Sequence, residues 1–510
     1  MKKLVRILFS RYTISALIIL LQLLLAAQLI FTSWAYSYVA VLVGALVSLT
    51  ALVFIINRDA NPEYKVSWLV VILLLPGFGT LLYLLFYRRR VTKKEERLLR
   101  GTFAEINRHR LDSSDFDALS HLNPLASGKA RAIMNDDPIA EVYTCTESAF
   151  LPSGESLFED MIASLREARE FIFLEYFIVD TGKLWDEIHS ILVEKARAGV
   201  EIRLLYDDIG CMKTLPTHYS TTLSAEGISA YPFNKASPSL SSVHNNRDHR
   251  KICIIDGKVA YTGGANIADE YVNLRIRFGH WNDSGIRIIG LAIRGMIKQF
   301  LSMWDFTTHT ISDYEKYLSR VEPRASDGGY YLPFGSGPAP IYQRPCGKNA
   351  FLNLINQSRC YVYITTPYLI VDYDLTESLC NAALRGVDVR IITPGIADKK
   401  YVNVMTKSSY PYLMRAGVKI YEYTPGFIHE KSFVVDDEYA VVGTINLDYR
   451  SLVHHFENAV WMYATPTVND IHDEFLRTVD KSEQIDESKS ALTLREKMIR
   501  NVVRFFAPLL

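Results

Sequence analysis

The chain contains the motif HxKxxxxD twice, and this repeat limits its fold more than any other feature. The first copy comprises His249, Lys251 and Asp256, and the second comprises His429, Lys431 and Asp436. A glycine-containing turn and an asparagine follow each copy at the same distance, giving Gly263, Gly264 and Asn266 in the first and Gly443, Thr444 and Asn446 in the second. Two copies in matching context indicate an internal duplication.

The duplication extends well beyond the motif. The segment FIFLEYF from Phe171 matches YVYITTP from Tyr361, and AGVEIRLLY from Ala198 matches RGVDVRIIT from Arg385. The first half has about ten extra residues just before His249. In both halves, short apolar runs alternate with helical stretches, which predicts an α/β fold with mixed, mostly parallel sheets.

Each motif lies where the sequence predicts a β-hairpin. Two β-branched runs are joined by Asp-Gly in KICIIDGKVAYTGG and by Asp-Asp in KSFVVDDEYAVVGT. Because side chains alternate along a strand, a histidine and a lysine two residues apart face the same way. We therefore expect two lobes, packed about a pseudo-two-fold axis, that bring both histidine–lysine pairs to one cleft.

Two histidines and two lysines suit a two-step phosphodiester exchange. One imidazole attacks phosphorus, while the other protonates the departing alcohol and then deprotonates the incoming one. Lysines and asparagines hold the phosphate oxygens. The lysines supply the charge that a metal would otherwise provide, so the sequence predicts neither a metal nor another cofactor.

The acidic residues divide into two groups. Asp256 and Asp436 sit at hairpin turns, where aspartate serves local hydrogen bonding, so we interpret them as structural supports. Asp283 and Glu457 lie downstream of the two motifs and are better candidates for orienting the imidazoles, because an acidic partner on one ring nitrogen fixes the tautomer. We expect Glu457 to orient His429.

The doubled motif resembles the phospholipase D superfamily. Within it, NNRDHRKICIIDGKVAYTGGANIADEY and YEYTPGFIHEKSFVVDDEYAVVGTINLDYRSL are similar to the bacterial cardiolipin synthases, as is the sequence from about Asn57 to the C-terminus. The resemblance implies that His249 and His429 are the catalytic pair and suggests His249 as the nucleophile, although the sequence alone does not separate the two roles. It also implies that Lys251, Lys431, Asn266 and Asn446 hold the phosphate and that Asp256 and Asp436 complete the motifs.

The N-terminal region supports a lipid substrate. Residues 14–31, 35–56 and 66–87 are apolar runs near the ~20 residues that a bilayer span requires. Basic clusters before the first run, between the second and third, and after the third all favour the cytoplasmic side. The third run is interrupted at Pro76, Gly77 and Gly79, which favours a re-entrant segment. We expect a multi-pass protein of the cell membrane with cytoplasmic catalytic lobes.

The predicted organisation is a membrane region at 1–90, a juxtamembrane connector at 91–140, a first lobe at 141–325, a linker at 326–340 and a second lobe at 341–510. We interpret the charged stretch from Arg88 to Arg110 as a solvated helical face, with contact to anionic headgroups as the alternative. The chain has 56 basic and 56 acidic side chains, and this balance argues against a nucleic-acid enzyme. Its six cysteines show no metal-binding or disulfide spacing.

Three classes of function remain open. The leading hypothesis is a cardiolipin synthase that condenses two phosphatidylglycerol molecules to cardiolipin and glycerol through a phosphohistidine. The alternative is a membrane-bound hydrolase, either a phospholipase D or a nuclease with the same motif. A silent scaffold is disfavoured because both motifs are intact. Sequence leaves the acceptor alcohol and homo-oligomerisation undecided.

Overall fold

The structure is a computed structural model that describes residues 38–59, 61–86, 92–235, 245–486 and 493–506, together with scattered positions between 17 and 32. The apolar run at 14–31 lies largely outside the described residues. The chain forms two compact units. One comprises Met1–Val91, Asn234–Asn246 and Asn501–Leu510, and the other comprises Thr92–Phe233 and Arg247–Arg500.

The first unit contains the helices α1 (Tyr38–Ile56), α2 (Pro62–Leu74) and α3 (Phe78–Phe86). Trp68 packs edge-to-face on Tyr83, with ring centroids 5.3 Å apart. A Cβ at Gly79 would lie 2.5 Å from the Val71 carbonyl oxygen, so glycine permits the close approach of α2 and α3. Across the described residues, none of the helices combines the length and apolar character needed to cross a membrane. The membrane spans therefore stay predictions.

The second unit begins with α4 (Lys93–Arg108), α5 (Ser114–Leu122) and α6 (Pro124–Asp136), which occupy most of the expected connector. Thr92 and Glu95 form a capping box that satisfies free N–H groups at the start of α4. Leu99 and Ile106 of α4 belong to a buried core cluster with strand residues, and Ile133 of α6 belongs to another. These helices are thus packed against the two lobes.

The first lobe is a seven-stranded sheet with order β1-β8-β6-β5-β2-β3-β4. Its strands are β1 (Thr146–Leu151), β2 (Phe171–Tyr176), β3 (Glu201–Asp207), β4 (Ser229–Phe233), β5 (Lys251–Ile255), β6 (Val259–Gly263) and β8 (Gly285–Gly290), with the short β7 (His280–Asn282) outside the sheet. Its helices are α7 (Gly154–Glu167), α8 (Lys183–Arg197), α9 (Tyr219–Ala225), α10 (Ile293–Thr308), α11 (Tyr314–Leu318) and the 3-10 turn Asp269–Val272.

The second lobe repeats this arrangement in an eight-stranded sheet with order β19-β13-β12-β10-β15-β16-β18-β9. Its strands are β9 (Tyr330–Ser336), β10 (Tyr361–Thr365), β12 (Asp388–Pro394), β13 (Lys419–Tyr423), β15 (Ser432–Val435), β16 (Tyr439–Gly443), β18 (Glu457–Tyr463) and β19 (Ser482–Gln484), with β11 (Leu369–Ile370), β14 (Gly426–Ile428) and β17 (Leu447–Asp448) outside the sheet. Its helices are α12 (Cys346–Asn356), α13 (Tyr373–Leu384), α14 (Lys400–Arg415), the π-helix Arg450–His454 and α15 (Pro466–Val479); α16 (Leu494–Phe506) follows.

The α/β class, the duplicated lobes and the mixed sheets are confirmed, but the prediction that most strand pairs run parallel was wrong. In the first lobe only β2–β3 and β3–β4 run parallel, and the other four pairings are antiparallel. The motif hairpin and the strand after it add antiparallel neighbours to a parallel core. The expected linker at 326–340 contains β9, which is buried and pairs with β18. The second sheet therefore begins inside that segment.

The two lobes are joined by backbone pairing as well as by apolar packing. Strand β7 of the first lobe pairs in parallel with β14 of the second. Asp248, next to the first motif histidine, forms an isolated bridge with Phe456, next to Glu457. These two contacts place the start of each motif hairpin against the opposite lobe.

Candidate active site

Both motifs lie on the predicted β-hairpins, β5–β6 and β15–β16, which the structure confirms. Each hairpin starts at the lobe interface. The backbone N–H of His249 donates to the Phe456 carbonyl at 2.8 Å, and that of His429 donates to the Asn282 carbonyl at 2.6 Å. The backbone of each histidine is thus held by the other lobe, at the residue just before that lobe's candidate carboxylate.

The histidines and carboxylates form two crossed pairs. His249 Nδ1 lies 2.9 Å from Glu457 Oε2, and His429 Nδ1 lies 2.7 Å from Asp283 Oδ2. Both pairs therefore join opposite lobes. The expectation that Glu457 orients His429 was wrong, because each hairpin meets the strand of its partner lobe and not the one downstream in its own.

The carboxylates are buried and held in different ways. Glu457 accepts hydrogen bonds from the hydroxyls of Ser451 and Thr444. Burial raises the pKa of Glu457 to about 8, opposed by Lys251 and these hydroxyls. Because both hydroxyls donate to this group, its oxygens act as acceptors, and it accepts in the same way from Nδ1–H of His249.

Asp283 depends on a close approach of the backbone. It accepts from the Ser284 N–H at 3.0 Å, and a Cβ at Gly264 would lie 2.0 Å from its Oδ1 and 2.8 Å from the His429 carbonyl. Glycine is therefore required at 264 for this pair to form. The second half has Thr444 at the matching position, and its hydroxyl contributes to the other carboxylate.

Burial keeps both imidazoles neutral in the free protein. His249 and His429 are 7% and 6% exposed. Desolvation, followed by the charge of Lys251, lowers the pKa of His249 well below its usual range. Desolvation and Lys431 lower the pKa of His429 to about 4, although Asp283 opposes this shift. With Nδ1 bonded to a carboxylate, the Nε2 lone pair of each ring is free to react.

The two motif lysines lie in the same electrostatic environment. Desolvation lowers the pKa of Lys251 to about 8 and that of Lys431 to about 7. Each lysine donates to the carbonyl oxygen of its own motif histidine. Lys251 also lowers the pKa of Lys431, so the two ammonium groups repel each other. An anion bound between the two lysines would offset both their desolvation and their mutual repulsion.

The motif aspartates support the backbone. Asp256 accepts from the N–H groups of Arg169, Glu170 and Phe171 at 2.8–2.9 Å. Asp436 does the same for Arg359, Cys360 and Tyr361. Each lies roughly 17 Å along its strand from the motif lysine. Both aspartates therefore fix the entry to β2 or β10 and do not face the histidines.

The motif asparagines differ in their surroundings. Asn266 accepts from the Ile178 N–H at 3.0 Å and donates to the Tyr271 hydroxyl at 2.8 Å. The side-chain oxygen of Asn446 is buried, and no hydrogen-bond partner for it lies among the described residues. Asn446 thus has more capacity left for a ligand than Asn266 has.

Sequence reasoning missed three residues of this site: Ser451, Thr444 as a donor, and His455. The ring of His455 lies 5.5 Å from that of His249, measured between centroids. Its position two residues before Glu457, in HHFEN, was the signal that could have found it. His249, His455 and Glu457 are the described residues whose ligand atoms lie close enough to hold a metal ion.

Comparison with known proteins identifies the families and folds that this chain resembles. A family described as "Cardiolipin synthase, PLD-like domain" matches residues 161–276 and 351–479, and one described as "Phospholipase_D-nuclease N-terminal" matches 46–88. The fold is similar to that of phosphatidylserine synthase from Haemophilus influenzae, with a TM-score of 0.55 at 15% identity, covering 75% of this chain and 97% of that one. The family matches and the duplicated lobes place the chain among the phospholipase D-like enzymes.

Relatives with similar sequences show which family of phospholipase D-like enzymes includes this chain. The chain is 34% identical to a cardiolipin synthase of Geobacillus sp. (strain WCH70), over 91% of this chain and 92% of that protein. It is 33% identical to one of Halalkalibacterium halodurans and 40% identical to an uncharacterized protein of Streptococcus mutans, over 90% of this chain and 91% and 99% of those proteins. The chain belongs to the bacterial cardiolipin synthase family and is a phosphatidyltransferase.

Proposed function

We propose that this enzyme transfers the phosphatidyl group of one phosphatidylglycerol to the terminal hydroxyl of a second, giving cardiolipin and glycerol through a phosphohistidine. The observation that carries the proposal is the pair of crossed histidine–carboxylate contacts. Each lobe supplies one imidazole and the carboxylate that orients the other lobe's imidazole. A two-step exchange at one phosphorus needs one neutral imidazole as the nucleophile and one protonated imidazole as the acid, and Nε2 of each ring is available for these roles.

In the first step, His249 Nε2 attacks phosphorus and the bond from phosphorus to the glycerol oxygen breaks. His429 gives its proton to that oxygen, and glycerol leaves. In the second step, His429 takes the proton from the hydroxyl of the second lipid as its oxygen attacks phosphorus. The phosphorus–nitrogen bond then breaks, which restores His249 and releases cardiolipin.

The unequal surroundings of the two imidazoles support these roles. The nucleophile must be unprotonated, and the pKa of His249 is lowered well below its usual range. The acid must hold a proton, and Asp283 favours the charged form of His429. The negative charge of a bound phosphodiester opposes the desolvation that lowers the pKa of His429 and of both lysines. Substrate binding thereby favours the protonated forms of His429 and of both lysines.

Burial of the reacting groups supports transfer over hydrolysis. The two histidines and Lys251 and Lys431 are each at most 7% exposed. A site this closed limits the access of water to the phosphohistidine, whereas a lipid hydroxyl enters with its own binding energy. Hydrolysis to phosphatidic acid is the competing function.

The relatives named cardiolipin synthases support a membrane-associated enzyme with phospholipid substrates. We propose that the apolar N-terminal segments hold the enzyme at the cell membrane, with the two lobes on the cytoplasmic side. Basic residues flanking these segments support this orientation.

Lipid mass spectrometry tests the reaction. The purified full chain is incubated with phosphatidylglycerol, and cardiolipin, phosphatidic acid and free glycerol are quantified. We expect cardiolipin and glycerol in equal amounts, and neither product from His429→Ala. Phosphatidic acid as the main product would identify the enzyme as a hydrolase.

A further inference from the structure

The proposed transfer steps do not use His455, yet this residue is buried beside His249. The residue is 8% exposed, and neither ring nitrogen has a hydrogen-bond partner among the residues that the structure describes. Leaving both nitrogens of a buried imidazole unsatisfied is costly. The arrangement therefore indicates a ligand for this ring.

The nearest polar groups are themselves metal-binding types. His455 Nδ1 lies 3.9 Å from Glu457 Oε1, and His249 Nδ1 lies 2.9 Å from Glu457 Oε2. The three ligand atoms lie within 4.8 Å of one another. Two ligand atoms of one tetrahedral Zn²⁺ are roughly 3.3 Å apart. The two observed separations, 2.9 Å and 3.9 Å, lie just below and just above this value.

Among the residues that the structure describes, the other half of the site has no counterpart to this cluster. Trp281 lies two residues before Asp283, as His455 lies two residues before Glu457. The Trp281 ring is 5.7 Å from the His429 ring, a distance similar to that between His455 and His249. Indole does not ligate a divalent ion, so the cluster exists on the His249 side alone.

We propose that His249, His455 and Glu457 form a binding site for a divalent transition metal, suited to Zn²⁺, whose occupation inhibits phosphatidyl transfer. Two imidazoles and one carboxylate are a common ligand set for such ions. The inhibitory effect, but not the binding, rests on the proposed function.

Inhibition follows from the tautomer of His249. The metal takes the lone pair of Nδ1, which displaces the hydrogen bond to Glu457. A neutral imidazole bound through Nδ1 carries its hydrogen on Nε2, so the ring keeps one proton and none is gained or lost. Nε2 is the atom that attacks phosphorus, and with its lone pair replaced by N–H it is no longer a nucleophile.

Neighbouring positive charges lower the affinity of the site for a metal ion. Arg450, Arg247 and Lys251 all act electrostatically on His455. Their repulsion of a second cation weakens binding. The site therefore fills and empties with the available metal, as an inhibitory site must.

Binding is tested with Co²⁺, which has visible absorption bands when held by imidazoles. The chelator-treated full chain in detergent is titrated with Co²⁺, and His455→Asn and His454→Asn are compared. We expect one equivalent bound by wild type and by the His454 control, with affinity weakened in His455→Asn by more than the roughly 10–100-fold that loss of an outer partner costs. Equal spectra and affinities in all three proteins would overturn the proposal.

Inhibition is measured as each variant's activity with Zn²⁺ divided by its own activity without Zn²⁺, so a lower basal rate does not mimic resistance. Wild type and His454→Asn should lose most activity and regain it with chelator, whereas His455→Asn should resist. A raised KM for lipid in His455→Asn with unchanged Zn²⁺ sensitivity would show that the ring binds substrate, and would reject the metal site. Intact Co²⁺ binding without cardiolipin formation by wild type would instead reject the proposed function.

Discussion

Replacing Glu457 with glutamine tests the crossed pairing directly. The carboxylate is fully buried and bonds His249 Nδ1 at 2.9 Å. A charge-assisted hydrogen bond of this kind contributes about 1.5–3 kcal/mol, which corresponds to a roughly 10–150-fold loss in kcat. If the new amide instead donates to Nδ1, the ring adopts the opposite tautomer and the loss approaches about 10⁴-fold.

The assay measures kcat and KM for phosphatidylglycerol in mixed micelles. We expect kcat to fall by at least about tenfold, with KM changed by less than about threefold, because the glutamate contacts the imidazole and not the lipid. Glu430→Gln is the matched control. Glu430 is also buried, with its pKa raised to about 8 by desolvation, but it accepts from Ser432. Equal kcat values for the two variants, or a change confined to KM, would refute the role of Glu457.

Three further predictions follow from the same contacts. Asp283→Asn should lower turnover of phosphatidylglycerol but spare the burst of p-nitrophenol from a p-nitrophenyl phosphodiester, whose leaving group needs no proton; loss of the burst would contradict the acid role of His429. The pKa values of Lys431 and Lys251 are lowered to about 7 and about 8, and phosphate needs the protonated forms, so kcat/KM should be highest at pH values below both pKa values and fall as the pH rises through about 7 and about 8; a rise over that range would contradict this. Arg250 is fully buried and donates to the Gln299 carbonyl and the Tyr342 hydroxyl, so Arg250→Met should lower the free energy of unfolding by about 3–5 kcal/mol in a denaturant titration, and a change under about 0.5 kcal/mol would contradict this.

Much of the fold could be read from the repeat, because equal motifs in equal contexts imply equal strand orders. The directions of neighbouring strands could not be predicted in this way. A buried strand such as β2 reads as a continuous apolar run whether its neighbours are parallel or antiparallel. The edge strand β9 was taken for a linker because its surroundings are rich in glycine and proline, yet its residues are buried against β18.

The candidate site, like the fold, could be predicted only in part from the sequence. The motif residues could be found because their chemistry and spacing are distinctive. Asp283 and Glu457 could be selected from the sequence, but their pairing depends on how the lobes pack, since each carboxylate lies 146 or 208 residues from its histidine. His455 sits beside Glu457 in the sequence, but only its burial and unsatisfied nitrogens distinguish it from a surface histidine.

Trapping the covalent intermediate tests the central claim most directly. His429→Ala and His249→Ala are mixed briefly with a p-nitrophenyl phosphodiester, quenched in alkali and mapped by peptide mass spectrometry. The proposed mechanism predicts an acid-labile adduct on His249 in the His429→Ala protein and no adduct in the His249→Ala protein. An adduct on His429, formed in the protein that lacks His249, would contradict it.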